Sequence, residues 1–346
     1  MSTKKTIAFI LNPISGRVKK NGIPHLIETY LDHDLYEYKI CYTEYAGHAT
    51  MIATKERELG TDVVVAVGGD GTINEVGRAL TGANTAMAII PCGSGNGLAR
   101  HLMIPINIRK AIQIINRYDV QQLDYGLING HPFFCTCGMG FDAFISMKFA
   151  ESGKRGPIKY LEHVLKEGLR YKPEVYEIED ETGKTKIHKA YLVSCANASQ
   201  YGNNAYIAPQ ASMNDGMMDV IIMEPFDAFD APQVSFDMMN KTLNKSSKIK
   251  TFRSKKIRVH RPKEGPVHYD GDPVMMGKDI EITLVEKGIR LLVNPDAMKK
   301  NREPNMLQNA VCELFNTINS TRTDINRQGR RLLAFNKLMW RRLKKQ

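Results

Sequence analysis

Residues 62–75 read DVVVAVGGDGTINE, a stretch whose pattern indicates a strand, a turn and a helix. Residues 62–67 form an apolar run with the length of a buried strand, which leads through glycines into a helix with Ile73, Val76 and Leu80 on its apolar face. Glycines let a backbone approach an anion closely, and the free amides at a helix start point at it. The stretch therefore predicts a phosphate-binding turn at residues 68–72 between a strand and a helix of an α/β sheet.

Asp70 is an acid inside this phosphate-binding turn. Its negative charge would repel a phosphate unless a cation lies between them. Mg²⁺ is usually held by one or two carboxylates together with nucleotide oxygens. The turn therefore predicts that Asp70 binds Mg²⁺, and a tight turn with an incidental acid is the alternative.

Two further glycine-containing loops follow predicted strands. Residues 91–97 read PCGSGNG and precede a helix that starts at Leu98, and residues 12–17 read NPISGR. In a parallel sheet the loops after successive strands open at the same edge, where ligands bind. We therefore expect the three loops to converge on one crevice. Neither GxGxxG nor GxxxxGKS/T occurs in these loops, which excludes the dinucleotide fingerprint and the P-loop.

Outward from this centre, short apolar runs alternate with amphipathic segments as far as residue 125. Strands are predicted at residues 6–11, 38–43, 62–67 and 85–90, and helices at residues 47–59, 73–80 and 108–118. Beyond residue 125 the segments are β-rich, at residues 132–136, 175–179, 190–195, 218–223, 256–260 and 289–293, with helices at residues 158–171 and 228–244. The pattern predicts a parallel-sheet α/β domain at residues 1–125, an antiparallel β-sandwich domain at residues 126–296 and a tail at residues 297–346.

The composition excludes several classes of protein. Of the 346 residues 42% are hydrophobic, which excludes intrinsic disorder. The apolar runs are far shorter than the roughly 20 residues that a membrane helix needs, and the first residues lack the apolar segment of a signal peptide. The six cysteines show no CxxC spacing, which is typical of small core residues in a reducing compartment. We expect a soluble, cytoplasmic protein.

Most of the positive charge lies in the tail. The net charge is +11, and residues 297–346 hold twelve Lys or Arg against three acids, which leaves +9 there. A basic segment can bind nucleic acid or an anionic bilayer, but no base-reading aromatic motif or recognition helix accompanies it. On a helical wheel of residues 330–345 the basic side chains lie opposite Leu332, Leu333, Phe335, Met339, Trp340 and Leu343. The pattern predicts a peripheral contact with an anionic membrane surface rather than nucleic acid, and docking on the protein's own domain is the alternative.

Four segments in a fixed order carry a resemblance to a known family. They are NPISG at residues 12–16, GGDGTINE at residues 68–75, PCGSGN at residues 91–96 and DGD at residues 270–272. The ordered set resembles the catalytic family of diacylglycerol kinases and sphingosine kinases, and GGDG alone is shared with NAD kinases. The resemblance implies a nucleotide-binding domain like that of phosphofructokinase, a β-sandwich lipid domain, and ATP bound in the cleft between them.

The resemblance also implies which residues surround the nucleotide. They are Asn12, Pro13, Ser15, Gly16, Thr43, Gly68, Gly69, Asp70, Gly71, Thr72, Asn74, Ser94 and Asn96. His48 lies in a stretch that matches the family's T…GHA pattern, and capping of a helix start is an equal alternative. Lys154 and Arg155 resemble basic residues that contact phosphates in some relatives, with solvated surface charge as the alternative.

Residues 270–272 carry the prediction of the catalytic base. In phosphoryl transfer one carboxylate accepts the proton of the attacking hydroxyl. Bacterial relatives usually have DGE here, so Asp272 is one methylene shorter than the family's residue. Asp270 and Asp272 are both candidates, and we favour Asp270 because it matches the family without substitution. A type I′ turn with polar tips is the alternative interpretation.

Two more segments resemble functional sites of the family. Residues 212–217 resemble a loop that binds a structural Mg²⁺ through the Asp215 carboxylate and carbonyls near Ser212 and Met217, although Asn214 stands where the family often has an acid. Ordinary turn chemistry is the alternative there. Asp142, within GMGFDA, resembles the position at which a carboxylate meets the lipid head group, and helix capping is the alternative.

Together these patterns predict an ATP- and Mg²⁺-dependent kinase that phosphorylates the hydroxyl of a membrane lipid. The acceptor is diacylglycerol or a sphingoid- or ceramide-like lipid, and the sequence leaves the choice open. An NAD kinase is one alternative. A catalytically silent protein that senses lipid or nucleotide is the other, because Asp272 and Asn214 depart from the family pattern.

Removing the tail tests the predicted membrane contact. A chain that ends at Pro304 should keep ATP binding but lose sedimentation with anionic vesicles, because each basic residue near such a surface contributes roughly 1 kcal/mol. Binding by the full chain should weaken with salt, since exposed charges are screened over about 10 Å at 0.1 M. Activity on vesicle-borne lipid should fall, and detergent-dispersed lipid should restore it. Equal sedimentation of both chains would support docking on the protein instead.

Overall fold

The structure is a computed structural model that describes residues 4–13, 22–151, 171–226 and 230–296. All of these residues belong to one compact unit that extends from residue 1 to residue 300. Several predictions lie outside the described residues. They concern Ser15, Gly16, Lys154, Arg155, nearly all of the helix at residues 158–171, and the tail.

The first part of the chain alternates strands and helices, as predicted. The elements are β1 (Lys5–Leu11), α1 (Ile23–Tyr30), β2 (Tyr36–Tyr42), α2 (His48–Glu58), β3 (Val63–Gly68), α3 (Asp70–Leu80), β4 (Ala86–Pro91), α4 (Gly97–His101) and α5 (Ile108–Arg117). The four strands are parallel and adjacent in the order β2-β1-β3-β4. Every residue of β3 and β4 is buried, as expected for central strands of a parallel sheet that is covered on both faces. Helix α1 was not predicted.

The rest of the described chain is mostly β-structure. The elements are β5 (Val120–Ile128), β6 (His131–Phe133), β7 (Thr136–Gly140), α6 (Phe141–Glu151), β8 (Glu174–Asp180), β9 (Thr185–Ala190), β10 (Leu192–Ala196), β11 (Met218–Met223), α7 (Ala231–Met239), a 3-10 helix (Leu243–Lys245), β12 (Ile249–Ser254), β13 (Lys256–His260), β14 (Gly265–Tyr269), β15 (Asp272–Met276) and β16 (Asp279–Leu292). Strands β11 and β13 coincide with their predicted ranges. Helix α6 was not predicted.

Two of the predicted elements are wrong in extent. The strand predicted at residues 132–136 is broken between β6 and β7, because the backbone amides of residues 134 and 135 donate to the Asp270 carboxylate instead of to a neighbouring strand. The helix predicted at residues 228–244 ends at Met239, and Lys241 has a φ of +62°, which a right-handed helix cannot contain.

The strands form two sheets. A ten-stranded sheet has the order β2-β1-β3-β4-β16-β13-β8-β9, with β5 on β16 and β6 on β5, and a six-stranded antiparallel sheet has the order β12-β11-β10-β7-β14-β15. Strand β16 joins β4 in parallel, so the larger sheet is continuous from the α/β part into the sandwich. The domain limits at residues 125 and 296 stay predictions, and β5 runs across the first of them.

The two sheets pack face to face over one core. Met139, Val193 and Val220 of the smaller sheet share a buried cluster with Ile178 and Val259 of the larger sheet. This packing confirms the predicted combination of a parallel α/β sheet with an antiparallel β-sandwich. In the described part of the chain, no helix is long and apolar enough to cross a membrane.

The opposite face of the smaller sheet is covered by α6 and α7. Leu192 and Ile221 on this face pack with Phe141 and Ile145 of α6 and with Val234 of α7. Strands β10 and β11 are therefore buried on both faces, which explains their nearly continuous apolar sequences. The start of α6 is held against this sheet beside β14.

A buried arginine fixes the base of the β14–β15 hairpin. Arg261 is 1% exposed, and its guanidinium donates to the carbonyl oxygens of Gly265 (2.7 Å), Pro266 (3.2 Å), Met276 (2.8 Å) and Gly277 (3.1 Å). Its planar set of donors satisfies carbonyls from both strands at once. The tip of this hairpin carries Asp270 and Asp272.

Arg261→Lys should destabilise the protein. An ammonium group has fewer donors in a smaller space, so at least one buried carbonyl would lose its partner at a cost of about 1–3 kcal/mol. The melting temperature should fall by several degrees. Arg258→Lys, at an exposed position of β13, is the matched control and should leave it nearly unchanged. Equal shifts for both variants would contradict this role of Arg261.

Candidate functional site

The first two glycine loops meet in close backbone contact. A Cβ atom added to Gly93 would lie 2.6 Å from the Cα of Gly69, so only glycine allows this approach. Of the third loop, Asn12 and Pro13 are described, and the Asn12 side chain donates to the Thr72 hydroxyl at 3.2 Å. The described parts of all three loops therefore converge at the carboxyl ends of β1, β3 and β4, as predicted.

Asp70 is the first residue of α3 and is held by the second loop. Its Oδ1 accepts from the backbone N–H of Gly97 at 2.7 Å, and its Oδ2 accepts from that of Asn96 at 2.9 Å. A side chain at Gly95 would collide with the carboxylate, since its Cβ would lie 2.7 Å from Oδ2. A carboxylate has about four acceptor positions. The two that remain fit a Mg²⁺ ion held mainly through nucleotide oxygens.

Asn96 holds the shape of its own loop. Its Oδ1 accepts from the N–H of Gly93 at 2.9 Å, its Nδ2 donates to the Gly93 carbonyl at 2.8 Å, and its φ is +50°. The polar atoms of this side chain thus face the loop, and the neighbouring Ser94 is exposed. Within this loop, Ser94 rather than the Asn96 side chain is available to a ligand.

The other predicted nucleotide residues lie around the same crevice. Thr43 is buried directly after β2, and its N–H donates to the Leu11 carbonyl at 3.0 Å. Gly68 lies against the Thr72 side chain, where an added Cβ would approach within 2.5 Å. Asn74 is buried, and its Nδ2 donates to the Asp270 carbonyl at 3.4 Å. Asn74 therefore connects α3 to the β14–β15 hairpin.

Glu75 is an acid of the same motif to which the sequence assigned no role. Its carboxylate accepts from the N–H groups of Gly47 at 3.0 Å and Ala49 at 3.1 Å, and so caps the start of α2. The sequence signal for this cap was that α2 has no acidic residue in its own first turn, so an acid from elsewhere could take that place. His48 accepts from the N–H of Glu44 through Nδ1 at 3.1 Å, which supports its structural role at this helix start.

Asp270 lies at the tip of the hairpin in a type I′ turn. Asp270 and Gly271 have φ values of +52° and +87°, which this turn type requires at both central positions. The Asp270 carboxylate accepts three backbone N–H groups, from Phe134 at 2.7 Å, Cys135 at 2.7 Å and Thr136 at 3.1 Å. The predicted type I′ turn is confirmed, and the Asp270 carboxylate at this turn is enclosed by backbone amides.

The enclosure changes the acidity of Asp270. Burial raises the pKa of this carboxyl from 3.8 to about 6, against the opposing effects of the three amide hydrogen bonds and of Arg78. A carboxylate with a pKa near the working pH is suited to accept a proton. The geometry is therefore compatible with a general base at this position.

Asp272 has a different environment. It pairs with Arg78, whose Nη2 lies 2.9 Å from Oδ2, and its side chain is half exposed. The Arg78 guanidinium also lies over the Tyr269 ring, 4.7 Å from the centroid. The two acids of the turn thus have different hydrogen-bond partners. Asp270 accepts from the backbone amides of residues 134–136, whereas Asp272 pairs with the Arg78 guanidinium.

Asp142 is buried at the start of α6 and accepts three hydrogen bonds. Its Oδ1 accepts from the N–H of Ala143 at 2.8 Å, and its Oδ2 from the Tyr201 hydroxyl at 2.9 Å and from His268 Nε2 at 3.0 Å. The contact with Ala143 supports a structural role at the helix start. Sequence reasoning missed Tyr201 and His268, because nothing in the linear pattern brings residues 142, 201 and 268 together.

The loop that carries Tyr201 also reaches the second glycine loop. An added Cβ on Gly97 would lie 3.2 Å from the Tyr201 carbonyl oxygen, and one on Gly202 would lie 3.2 Å from the backbone of Gly95. Gly202 has a φ of +121°, which favours glycine. This loop therefore links the amides that hold Asp70 to the cluster around Asp142.

The loop at residues 212–217 does not fit a structural Mg²⁺. The Asp215 carboxylate is paired with the Arg253 guanidinium and also accepts from the N–H of Met217 at 3.2 Å. The Ser212 hydroxyl donates to the side-chain oxygen of Asn214 at 2.6 Å, and nearby Asp124 accepts two backbone amides. Among the described residues no three acidic, His or Cys side chains form a metal cluster. The Arg253 guanidinium thus pairs with the carboxylate that the sequence predicts as a metal ligand.

Comparison with known proteins identifies relatives over most of the chain. Two proteins named "Probable lipid kinase YegS", from Salmonella arizonae and Salmonella dublin, are 28% and 27% identical to it over 257 residues, which cover 72% of this chain and 84% of each relative. The crystal structure of a diacylglycerol kinase from Bacillus anthracis str. Sterne superposes with a TM-score of 0.67 at 21% identity. The superposition covers 86% of this chain and 99% of the Bacillus anthracis chain, and it shows that the two proteins share a fold.

Family models cover both parts of the fold. Residues 6–128 match the diacylglycerol kinase catalytic domain, and residues 136–293 match the YegS C-terminal NAD kinase beta sandwich-like domain. The chain therefore combines a diacylglycerol kinase catalytic domain with a YegS-type β-sandwich domain.

Proposed function

We propose that this protein is an ATP-dependent lipid kinase that transfers the γ-phosphate of ATP to the hydroxyl of a membrane lipid. The observation that carries the proposal is the enclosed Asp270 carboxylate, which has a pKa of about 6 and is linked through Asn74 to the helix that begins with Asp70. A carboxylate for the proton and a carboxylate for the metal are the two acids that phosphoryl transfer requires. The match of residues 6–128 to the diacylglycerol kinase catalytic domain supports the same reaction.

The three loops supply the nucleotide side of the reaction. Backbone amides of the β3–α3 turn and Ser94 would contact the phosphates, while Thr43 and Asn12 line the crevice beside them. Ser15, Gly16, Lys154 and Arg155 stay predictions for the same site. A Mg²⁺ ion beside Asp70 would neutralise charge on the phosphate oxygens.

The hairpin supplies the proton acceptor. Asp270 would accept the proton of the lipid hydroxyl while the oxygen attacks the γ-phosphorus. Arg78 neutralises Asp272 and lies near the same hairpin, so Asp272 supports the turn rather than the proton transfer. Three amide donors hold Asp270 in one orientation, which lowers the cost of positioning it for reaction.

The lipid would approach from the sandwich side. Asp142 would accept a hydrogen bond from the lipid head group, and the basic tail would hold the protein at the anionic surface in which that lipid lies. Incubating the purified protein with [γ-³²P]ATP and a panel of lipids, with NAD as a further acceptor, tests the proposal. A labelled lipid is the expected product. Labelled NADP, or no product from folded protein, would contradict it.

Asp70→Asn should nearly abolish phosphoryl transfer without unfolding the protein. The amide can keep one contact with the α4 start but loses the charge that holds the metal, and metal neutralisation contributes several kcal/mol. We expect kcat to fall by about 100- to 1000-fold, measured with labelled ATP. Asp34→Asn, at an exposed acid, is the control and should keep normal turnover. Near-normal kcat in folded Asp70→Asn would refute the assignment.

Asp270→Asn and Asp272→Asn separate the two acids of the turn. The first variant should lose turnover at unchanged ATP affinity, whereas the second should keep most of it, because Asp272 is half exposed and paired with Arg78. The base must be ionised to accept a proton, so wild-type kcat/KM should fall about tenfold per pH unit below the pKa of about 6. Loss of activity in Asp272→Asn alone would reverse the two roles.

A further inference from the structure

Asn197 is a buried polar residue that directly follows β10. It is 0% exposed, and its Nδ2 donates to the backbone carbonyls of Asp124 and Phe134, both at 2.9 Å. Its Oδ1 is buried and has no hydrogen-bond partner among the residues that the structure describes. Because an unpaired buried acceptor destabilises the folded state, the two donated bonds are the feature that favours an asparagine here.

The Phe134 carbonyl belongs to a peptide group that holds Asp270. The N–H of the same peptide group is that of Cys135, and it donates to Asp270 Oδ1 at 2.7 Å. In the next peptide group, the Cys135 carbonyl accepts from the backbone N–H of Asn197 at 2.9 Å, and the N–H of Thr136 donates to Asp270 Oδ1 at 3.1 Å. Two consecutive peptide groups therefore lie between Asn197 on one side and Asp270 on the other.

This arrangement strengthens the hydrogen bonds to the carboxylate. A trans peptide group carries its carbonyl oxygen and its N–H on opposite edges of one plane. A donor on the oxygen polarises the group, which makes its N–H a stronger donor, and the low dielectric of a buried site preserves this effect. Asn197 thus acts on Asp270 through peptide groups without touching it.

Packing also fixes the residue at which these peptide groups begin. Phe134 is 0% exposed, and its ring lies against α3, where a Cβ atom added to Gly77 would approach it within 2.6 Å. Strand β6 ends at Phe133 and β7 begins at Thr136, so residues 134 and 135 lie between the two strands. Packing against α3 and hydrogen bonds from Asn197 therefore define where these peptide groups lie.

Asn197 begins a segment that is also fixed on the nucleotide side of the site. Two residues further along, the N–H of Ser199 donates to Nδ1 of His101 at 3.1 Å, and the Ser199 hydroxyl lies 3.0 Å from the same nitrogen. His101 is the last residue of α4, and the N–H of the first residue of this helix donates to Asp70. Asn197 therefore has a defined position relative to both acids of the site.

We propose that Asn197 is a positioning residue for phosphoryl transfer, which fixes the Asp270 carboxylate through the two peptide groups that lie between them. Without the Nδ2 donor, the peptide group between Phe134 and Cys135 is less restrained and less polarised, so its N–H holds the carboxylate less well. A base that transfers a proton has to be held in one orientation. The inference rests on the proposed kinase activity, with Asp270 as its base.

The titratable groups around Asp270 come from α3, from the start of β7 and from its own hairpin. Burial raises the pKa of Asp270 to about 6, whereas the amide hydrogen bonds and Arg78 of α3 oppose the rise. Burial also raises the pKa of the Cys135 and Cys137 thiols well above their usual value, so both thiols are neutral. On the hairpin, Asp272 is paired with Arg78. Replacing the asparagine changes the donation by the amides and leaves these groups in place.

Asn197→Ser and Asn197→Asp test the proposal. Serine keeps one short donor, whereas aspartate keeps the shape of the side chain and has no donor when it is ionised. Weaker amide donation raises the pKa of Asp270, because these bonds favour the charged form. Since the base must be ionised, the acidic limb of kcat/KM should move to higher pH by about one unit. Above this limb, kcat should be about tenfold lower at an unchanged KM for ATP.

Tyr36→Phe is the matched control. Tyr36 is also buried, and its hydroxyl donates to the Ile115 carbonyl at 2.8 Å. It is the first residue of β2, whereas the glycine loops lie at the carboxyl ends of the parallel strands. Loss of this bond should lower the melting temperature but leave kcat and the acidic limb unchanged. Equal movement of the limb in the control and in the Asn197 variants would show that general destabilisation causes it, and would overturn the proposal.

The pKa of Asp270 can also be measured without turnover. Labelling the aspartate carboxyl carbons with ¹³C, and assigning the resonance with Asp270→Asn, gives the titration of this group by NMR. We expect its pKa to rise by about one unit in the Asn197 variants and to stay at about 6 in Tyr36→Phe. An unchanged pKa and an unchanged limb in folded variants would overturn the role of Asn197 and leave the kinase activity intact.

The remaining outcomes separate this inference from the proposed function. A raised pKa of Asp270 with an unmoved limb would show that Asp270 is not the base, and would overturn both its role and that of Asn197. Failure of both Asn197 variants to fold, where Tyr36→Phe folds, would assign Asn197 to the stability of the whole protein and overturn the proposal. Wild-type protein that labels no lipid would contradict the kinase activity and, with it, a role of Asn197 in phosphoryl transfer.

Discussion

The contact of the Asp270 carboxylate with three consecutive backbone amides is the constraint on which the site depends. Because the N–H groups of residues 134 and 135 donate to this carboxylate, they are not available to a ladder, and the chain divides into β6 and β7 at this point. The same contact fixes the tip of the β14–β15 hairpin and encloses an acid whose pKa rises to about 6. Secondary structure, hairpin position and acid strength thus share one cause.

The continuous ten-stranded sheet sets where this hairpin meets the glycine loops. Strand β16 lies beside β4 at one end and beside β13 further along, so the parallel sheet and the sandwich are built on shared strands. The hydrogen bond from Asn74 to the Asp270 carbonyl crosses between α3 and the hairpin on this framework. The shared sheet explains how Asp70 and Asp270, which are 200 residues apart in the sequence, lie on elements that are in contact.

The four aspartates that the sequence singles out in turns differ in the groups that hold their carboxylates. Backbone amides hold Asp70 and Asp270, which leaves their charge available for a metal or a proton. Arginine side chains pair with Asp272 and Asp215, which fits a structural role for both. This difference in partner separates acids that look alike in sequence, and it places Arg253 beside Asp215, the carboxylate that the sequence predicts as a metal ligand.

The sequence alone was sufficient to predict the parallel α/β sheet, the sandwich, the converging glycine loops and the placement of Asp70 and Asp270 in turns. These features follow from periodicity, glycine spacing and a fixed order of motifs, which are all local or linear properties. The break between β6 and β7, the pairing of Asp215 with Arg253 and the cluster of Asp142, Tyr201 and His268 depended on the tertiary structure. Each of them joins residues far apart in the chain, and only folding decides which donor meets which acceptor.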